Sequence, residues 1–557
     1  MASLSSLQRY RLTYKPKLPS DLQKLLFLVP EPIKATHANE HSKELLPLFP
    51  HTSQQPTIKF KLVDRPVTPK LLKLGVVLSG GQAAGGHNVI SGIFDALKKF
   101  NPNNKLIGFL DGPNGIIKNQ TIEITEELLS LYRNQGGFDI IGSGRTKIET
   151  PEQFIDAENT IKNLDLDGLV VIGGDDSNTN AAFLAEYFLE KGLKTKVIGV
   201  PKTIDGDLKN ELIETSFGFD TACKIYSENI GNIHKDMLSA KKYYYFIKLM
   251  GRSASHITLE CALQTHPNLT LIGEEILDKK LSLDDIIKEI ADMVVMRAEK
   301  GKNYGTILIC EGVIEFIPEI RQMILELNSL LAADKPHLAK LENTLLHKDK
   351  VEYICKQMSS TSSESFRKIP QYIQEQLLFD RDPHGNVQVS KIETERMILN
   401  LVEEELKKRK KHGKYSGKFA PQPLFYGYEG RSGLPSNFDS QYCYALGHLA
   451  ALLIQSGATG CMCCIGQLTK PVEEWTIAGI PIYGMLHMEI REGKKKAVIQ
   501  RSLVDLNGAV FTAFAVMRET WKFSDDFCCP GPIQFEGPAE ITESIPMTLR
   551  LERKCDR

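Results

Sequence analysis

Two acidic turns flanked by glycine carry the side chains of this sequence that are best suited to chemistry. Gly173-Gly174-Asp175-Asp176 follows the apolar run Leu169–Ile172, and Pro201–Asp207 follows the apolar run Val197–Val200. The second turn contributes Lys202, Asp205 and Asp207. Because the carboxyl ends of neighbouring parallel strands face one crevice, these groups are expected to meet over one substrate. Carboxylates and an ammonium in one crevice indicate phosphoryl transfer.

Two further loops add groups that bind anions. Ser79–Asn88 is glycine-rich and contains Gly80 and Gly81, and Gly142–Lys147 contains Arg145. Each loop alone has an ordinary interpretation, a plain connection in the first case and a surface arginine in the second. The first is neither a Walker A loop nor a dinucleotide-binding fingerprint. Together the four loops supply what a phosphate and Mg²⁺ site needs: carboxylates for the metal, cations for the charge, and a base for an attacking hydroxyl.

Alternating strands and helices must position these loops. The apolar runs of the first lobe predict strands at Leu74–Leu78, Leu106–Phe109, Phe138–Ile141, Leu169–Ile172 and Val197–Val200. A second set is predicted at Tyr243–Leu249, Thr306–Cys310 and Cys461–Ile465. Strands that alternate with helices are typical of βαβ units and a parallel sheet. We therefore predict an α/β fold of two Rossmann-like lobes with mainly parallel sheets, an N-terminal extension and a helical insertion.

Composition shifts along the chain set the expected boundaries. The proline-rich residues 1–72 are expected to form an extension that wraps a core, 73–240 the first lobe with the phosphate and Mg²⁺ site, and 241–557 the second lobe. A helical insertion is expected at about 318–411, from helical periodicity. A length of 557 residues exceeds one ordinary core.

The charge balance and the absence of long apolar runs narrow the class of protein. With 68 basic and 69 acidic residues, the chain has no global field for nucleic acid or an anionic membrane. The first ten residues lack the apolar core of a signal peptide, and no apolar run is long enough to cross a bilayer. We expect a cytoplasmic protein that binds neither nucleic acid nor membrane.

Two sequence clusters suggest other functions but are better explained structurally. Cys461-Met462-Cys463-Cys464 has no second Cys/His pair at metal-ligand spacing, so buried, reduced thiols in a strand are favoured over a metal site. Lys407–Lys411 ends a charged helix just before Gly413, so a solvated helix end is favoured over a targeting or nucleic-acid patch.

Three motifs in order identify a family. Gly173–Ser177, Pro201–Asp207 and Met250–His256 together resemble the long form of the pyrophosphate-dependent phosphofructokinases, and the later Tyr428–Asp439 extends the match. The resemblance implies transfer of a phosphoryl group from Mg-pyrophosphate to the 1-hydroxyl of fructose 6-phosphate, reversibly, in glycolysis or gluconeogenesis. The alternatives are an ATP-dependent phosphofructokinase and a non-catalytic regulatory subunit, and the presence of every catalytic carboxylate argues against the latter.

The resemblance also implies roles for individual residues. Asp205 would be the general base, Lys202 would neutralise the phosphoryl group in flight, and Asp175 would engage Mg²⁺. The resemblance places the diphosphate and Mg²⁺ site in the 73–240 lobe, where the diphosphate would face Gly80, Gly81 and Arg145, and the sugar-phosphate site in the 241–557 lobe. Fructose 6-phosphate would be held by Thr203, Ile204, Asp205, Lys242, Tyr243, Met250, Gly251, Arg252, Glu311, Tyr428 and Arg431. Because Lys242 and Tyr243 correspond to positions that reach a neighbouring subunit's sugar-phosphate site, the resemblance implies a homodimer that shares this site.

Asp176 is expected to decide the phosphoryl donor. The resemblance places a glycine here in ATP-using relatives, where the α-phosphate of the nucleotide passes. A carboxylate at this position would repel that phosphate by volume and charge. The alternative role, a cap for a helix that begins near Ser177, is compatible with donor exclusion. Ala84 replaces a proline of many relatives, which affects loop rigidity and no chemical group.

Overall fold

The chain folds as two compact units, each made of separate segments. The computed structural model describes residues 4–34, 42–333, 335–381, 387–491 and 494–553. The first unit takes the described residues up to Ile225, those of Tyr428–Ser502 and those from Ile533 onward, and the second takes Tyr226–Gly427 and Leu503–Pro532. The sequence predicted contiguous lobes that divide near residue 240. The division is discontinuous because late strands pair within the first sheet.

The strands, in chain order, are β1 (Leu28–Ile33), β2 (Thr57–Leu62), β3 (Lys73–Leu78), β4 (Lys105–Phe109), β5 (Thr121–Glu123), β6 (Gly168–Gly173), β7 (Lys196–Pro201), β8 (Tyr244–Leu249), β9 (Leu269–Leu271), β10 (Gly305–Cys310), β11 (Pro421–Tyr426), β12 (Cys461–Gly466), β13 (Thr476–Pro481), β14 (Leu486–Arg491) and β15 (Lys494–Ile499).

The helices of the first half are α1 (Ser6–Arg11), α2 (Ser20–Gln23), α3 (Ser42–Leu45), α4 (Gly86–Phe100), α5 (Pro113–Ile117), α6 (Glu126–Leu129), α7 (Pro151–Asn163), α8 (Asp175–Glu190), α9 (Phe219–Ala240), α10 (His256–Thr265) and α11 (Gly273–Asp278). Those that follow are α12 (Leu283–Glu299), α13 (Val313–Phe316), α14 (Pro318–Ala333), α15 (Lys335–Asn343), α16 (His347–Cys355), α17 (Ser360–Lys368), α18 (Gln371–Phe379), α19 (Thr394–Lys411), α20 (Asn437–Gln455), α21 (Ala509–Trp521), α22 (Ala539–Thr542) and α23 (Met547–Glu552). Within the described ranges, none of these helices is long and apolar enough to cross a membrane.

The first unit is built on a sheet whose described strands run in the order β1-β2-β13-β12-β7-β6-β3-β4-β5. The central strands from β12 to β4 are parallel, and the outer pairs are antiparallel. β3, β6 and β7 are almost fully buried, as expected for apolar strands covered on both faces. Their carboxyl ends lead directly into the loops that carry Gly80, Asp175 and Lys202.

The second unit contains a smaller, entirely parallel sheet in the order β11-β8-β10-β9. β8 ends at Leu249, just before the Met250–Arg252 turn, and β10 ends at Cys310, just before Glu311. These strands form one core with α12 and with helices α14–α19, which occupy the predicted insertion. A mainly parallel α/β fold, as predicted, is therefore present in both units.

Two predicted strands differ in the structure. Phe138–Ile141 forms turns rather than a strand, although Phe138, Ile140 and Ile141 are buried. The strand prediction was wrong because a buried irregular segment can have the same apolar sequence as a buried strand. The strand predicted at Cys461–Ile465 is present as β12, but it pairs with β7 in the first sheet. Its three cysteines are free and buried, which confirms the predicted thiols.

The N-terminal extension packs onto the first unit. β1 and β2 pair with each other, and β2 also pairs with β13. Further along, the buried Glu186 of α8 accepts hydrogen bonds from the backbone N–H groups of His51 and Thr52, at 2.9 and 2.8 Å, and from the Thr52 hydroxyl at 2.7 Å. Met1–Ser3, part of the segment examined for a signal peptide, lie outside the described residues.

Candidate active site

The glycine-rich loop after β3 accommodates two cations of the first unit. Gly80 has a positive φ of 86°, and a Cβ there would lie 3.3 Å from Lys202 Nζ. A Cβ on Gly81 would lie 3.3 Å from Cζ of Arg431. The Gly80 N–H donates to the Gly144 carbonyl at 2.8 Å, which brings the Arg145 loop to the same edge of the sheet. The positive φ favours glycine at position 80, and the absence of side chains at Gly80 and Gly81 leaves room for the two cations.

Lys202 is a buried ammonium held against this loop. Its Nζ donates to the Gly81 carbonyl at 2.7 Å, and the residue is 5% exposed. Burial and the cations Arg431 and Arg145 lower the pKa of Lys202 to about 8, while Asp205 and Asp175 act in the opposite direction. The side chain is therefore charged at neutral pH but close to releasing its proton.

Asp175, Asp205 and Asp207 lie close to one another in the turns after β6 and β7, and the first two also interact with Lys202. Burial and the carboxylates of Asp205 and Asp175 raise the pKa of Asp207 to about 7, with Arg501 acting in the opposite direction. The Asp205 backbone N–H donates to the Thr203 hydroxyl at 3.1 Å, and the Ser216 hydroxyl donates to the Thr203 carbonyl at 2.9 Å. These bonds fix the turn that presents Asp205, which stays partly exposed, whereas the neighbouring Ile204 is buried.

The first turn of α8 presents the two adjacent acids. The helix begins at Asp175, with Gly174 at the N-cap position and no side-chain capping bond, so Asp176 lies within the helix and does not cap it. Asn178 fixes the turn by donating to the carbonyls of Gly173 and Gly174, at 2.6 and 3.0 Å. Asp176 is partly exposed and pairs with Lys147 at 3.2 Å. Acidic side chains in the first turn of a helix also interact favourably with the helix dipole.

The carboxylates have the donor chemistry that Mg²⁺ requires. Among the described residues, no group of three or more His, Cys, Asp or Glu side chains forms a ready metal cage. Mg²⁺ does not need one, because it usually binds through one or two carboxylates together with waters and substrate phosphates. Burial and, after it, the neighbouring carboxylates of Asp205 and Asp175 raise the pKa of Asp207, and a bound cation would favour its charged form. The residues present therefore fit the metal.

Arg501 is a charged residue of this cluster that sequence reasoning missed. Its Nε lies 2.7 Å from Oδ2 of Asp175 and 4.0 Å from Oδ2 of Asp207. Burial disfavours the guanidinium charge, but Asp175, Asp207 and Asp176 outweigh it and raise the pKa of Arg501. No local motif marks this arginine, which follows β15 and is distant in sequence from its partners.

The remaining predicted residues divide between the two units. In the first, Tyr428 and Arg431 lie in one 3₁₀ turn, with the Arg431 guanidinium 5.3 Å from the centre of the Tyr428 ring. The structure thus brings Arg431, assigned to the sugar phosphate by resemblance, beside Gly81 and Lys202. Among the described residues, Arg431 forms no ion pair with a carboxylate.

In the second unit, the turn after β8 and the turn after β10 are in direct contact. The Gly251 N–H donates to Oε2 of the buried Glu311 at 2.9 Å, next to the buried Met250. A Cβ on Gly312 would lie 2.0 Å from the Arg252 carbonyl oxygen, so only glycine allows this approach. Arg252 itself is exposed. The turn therefore presents the exposed Arg252 side chain next to the close contact between Gly312 and the Arg252 carbonyl group.

Lys242 and Tyr243 lie at the other end of β8. Both precede the strand, whereas Met250–Arg252 follows it. The Lys242 ammonium lies 4.8 Å from the centre of the Tyr243 ring. Within one chain they are thus separated from the Arg252 turn by the length of the strand.

The chain is similar to known proteins over most of its length. The family model described as "Phosphofructokinase" matches residues 73–454. The chain is 53% identical to "Pyrophosphate--fructose 6-phosphate 1-phosphotransferase subunit beta" of Solanum tuberosum, over 100% of this chain and 95% of that protein. It is 49% identical to "Pyrophosphate--fructose 6-phosphate 1-phosphotransferase" of Entamoeba histolytica, over 99% of this chain and 100% of that protein.

A solved structure supports the fold. The crystal structure of a pyrophosphate-dependent phosphofructokinase from Nitrosospira multiformis matches with a TM-score of 0.53 and 15% identity, covering 86% of this chain and 96% of that one.

Proposed function

The chain belongs to the phosphofructokinase family, and we propose that it transfers a phosphoryl group from pyrophosphate to the 1-hydroxyl of fructose 6-phosphate, as a reversible diphosphate–fructose-6-phosphate 1-phosphotransferase. The products are fructose 1,6-bisphosphate and phosphate. The observation that carries the proposal is the buried Lys202 ammonium, held on the Gly81 carbonyl and facing the carboxylates of two neighbouring turns. Such a cation stabilises the negative charge on a phosphoryl group during its transfer.

We assign the chemical step to residues of the first unit. The Asp205 carboxylate accepts the proton of the sugar 1-hydroxyl while that oxygen attacks the terminal phosphorus. The bond from this phosphorus to the bridging oxygen breaks, and phosphate leaves. Lys202, Arg145 and Arg431 compensate the negative charge on the transferring and departing groups. Asp175 would hold Mg²⁺, which would supply further positive charge against the diphosphate.

Donor choice rests on Asp176. Its partly exposed carboxylate stands in the first turn of α8, next to Asp175. A nucleotide that places its α-phosphate here meets a like charge, whereas pyrophosphate has no such group. We assign sugar-phosphate binding to the residues implied by the family, with Arg252 as the main cation of the second unit.

We propose two further properties that follow from the family. The enzyme acts as a homodimer in which Lys242 and Tyr243 serve the sugar-phosphate site of the neighbouring subunit, which accords with their separation from the Arg252 turn. It works in the cytoplasm.

A donor assay on the purified chain, expressed alone, tests the proposed function. Pyrophosphate should support turnover of fructose 6-phosphate, and ATP should not. Asp205→Asn should retain the fold and lower kcat by about a hundred- to ten-thousand-fold. Preference for ATP would favour an ATP-dependent phosphofructokinase, and inactivity of the chain alone with both donors would favour a regulatory subunit.

A further inference from the structure

The guanidinium of Arg501 forms an ion pair with Asp175, the carboxylate that we assign to the metal. Arg501 Nε lies 2.7 Å from Asp175 Oδ2, within hydrogen-bond distance, and both side chains are partly buried. The same nitrogen lies 4.0 Å from Asp207 Oδ2. An oxygen that accepts this charge-assisted hydrogen bond is less available to a metal ion.

The backbone around Arg501 is tied to the turns that present these acids. The Ile499 N–H donates to the Thr179 hydroxyl at 3.0 Å, and that hydroxyl donates to the Asp175 carbonyl at 2.8 Å. The Ser502 N–H donates to the Asp207 carbonyl at 2.7 Å. Because the backbone is fixed on both sides of Arg501, its side chain starts from a position within reach of Asp175.

Repulsion between like charges should prevent Arg501 and a divalent metal ion from binding Asp175 at the same time. A divalent ion on Asp175 would be repelled by a guanidinium on the same carboxylate, and this repulsion is strongest where both groups are partly shielded from water. A diphosphate arriving with the metal changes this balance, since it brings additional negative charge and oxygen ligands.

We propose that Arg501 is an internal counter-ion that holds Asp175 while the metal is absent and exchanges with Mg²⁺ when the metal arrives with diphosphate. The inference rests on the proposed role of Asp175 as metal ligand. It makes free Mg²⁺ a weak ligand and favours entry of the metal–diphosphate complex as a unit. Arg501 is therefore a positioning residue in the sense that it acts through Asp175.

Binding of Mn²⁺ alone, followed by electron paramagnetic resonance without diphosphate or sugar, tests the exchange. Arg501→Gln should bind Mn²⁺ about three- to tenfold more tightly than the natural protein, the range expected when a partly buried ion pair no longer competes. Arg501→Met keeps the aliphatic stem and should behave in the same way. Arg501→Lys, which retains a positive charge, should stay near the natural affinity.

Lys147→Gln is the matched control, because it removes a cation from the adjacent acid, Asp176. It should leave the Mn²⁺ affinity nearly unchanged. Equal or weaker Mn²⁺ binding by Arg501→Gln and Arg501→Met, in samples with native circular dichroism, would overturn the exchange. Tighter binding by Lys147→Gln to the same degree would also overturn it, since general charge would then be the cause.

A double variant, Asp175→Asn with Arg501→Gln, tests whether the metal uses Asp175. The Asp175→Asn change should abolish the gain in Mn²⁺ affinity that Arg501→Gln produces. If the double variant still binds more tightly, the metal does not use Asp175 and the exchange is wrong. The pyrophosphate-versus-ATP assay of the natural chain is independent of this result.

Discussion

Lys202 combines near-complete burial with a positive charge at neutral pH. With its pKa lowered to about 8, the ammonium is present below that pH and is lost as the pH rises through it. Burial of this charge lowers the free energy of unfolding at neutral pH, because the unfolded chain holds the proton more firmly than the folded protein does. The free energy of unfolding should therefore rise between about pH 8 and 10.5, where the folded protein has released the proton and the unfolded chain has not.

The titration of Lys202 predicts an alkaline limb in catalysis. The value of kcat/KM for pyrophosphate should fall above about pH 8, because the free enzyme then loses the cation that we propose acts on the phosphoryl group. Lys202→Arg, if active, should move this limb to higher pH. The substrate's own ionisation affects both proteins equally, so the difference between their pH profiles reports Lys202. Identical profiles would assign the limb to another group.

Arg252 and Arg431 should differ in kinetic effect because they lie in different chemical surroundings. Arg252→Ala should mainly raise KM for fructose 6-phosphate, by loss of a charge-assisted contact in both ground and transition states. Arg431→Ala should raise KM for both substrates, since its guanidinium packs on Gly81. It should also raise the pKa of the alkaline limb, because Arg431 lowers the pKa of Lys202. An effect of Arg431→Ala on fructose 6-phosphate alone would contradict the observed placement.

Asp176 offers a test of donor exclusion that separates volume from charge. Asp176→Asn keeps the volume and removes the charge, whereas Asp176→Gly removes both. ATP use should appear weakly in the first variant and more clearly in the second, measured by donor competition against pyrophosphate. Lys147→Ala controls for loss of the pairing with Asp176. If neither Asp176 variant binds or uses nucleotide, the carboxylate does not exclude it.

At the scale of elements, the prediction succeeded where local sequence determines the outcome. β3, β6 and β7 are short, continuous apolar runs, and each leads into its functional turn within a few residues. Lys202, Asp205 and Asp207 could thus be placed together from the sequence. Phe138–Ile141 was wrong as a strand because an irregular segment can bury the same side chains.

Contacts between distant segments could not be predicted. Arg501 reaches Asp175 only because β15 lies on α8 through the Thr179 hydroxyl, and nothing near Arg501 in sequence indicates this. The pairing of β12 with β7 and the approach of Arg431 to Gly81 have the same origin. A single sequence specifies such contacts only through the complete fold.

A buried ion pair links the helical insertion to the sheet of the second unit. Lys248 of β8 lies 3.2 Å from Glu395 of α19 and donates to the Ile392 carbonyl at 2.8 Å, and both charged residues are buried. Glu395→Ala should lower the free energy of unfolding by about 3 kcal/mol, because it leaves a buried charge unpaired. Lys248→Met combined with Glu395→Leu should recover most of this loss.

Chemical denaturation of these variants measures the linkage. Glu403→Ala, which breaks an exposed pair with Lys407 on the same helix, is the control and should cost less than about 1 kcal/mol. A Glu395→Ala variant as stable as this control would show that the buried pair does not hold the insertion in place.

At the scale of the whole molecule, opposite charges nearly cancel, with 68 basic and 69 acidic residues. We therefore expect a highly charged donor to be attracted by local groups, chiefly the proposed cations Lys202, Arg145 and Arg431, and not by the field of the protein as a whole. Selectivity accordingly depends on how the loops of one sheet edge arrange a few charges.

The discontinuous first unit has a consequence for synthesis on the ribosome. β7 ends at Pro201, but its neighbour β12 begins only at Cys461. At translation rates of about 5–20 residues per second, the nascent chain leaves this hydrophobic strand edge uncovered for roughly 13–50 seconds. An uncovered edge invites pairing with other chains. Biogenesis of this protein should therefore depend on chaperones that shield the half-built sheet until the late strands emerge.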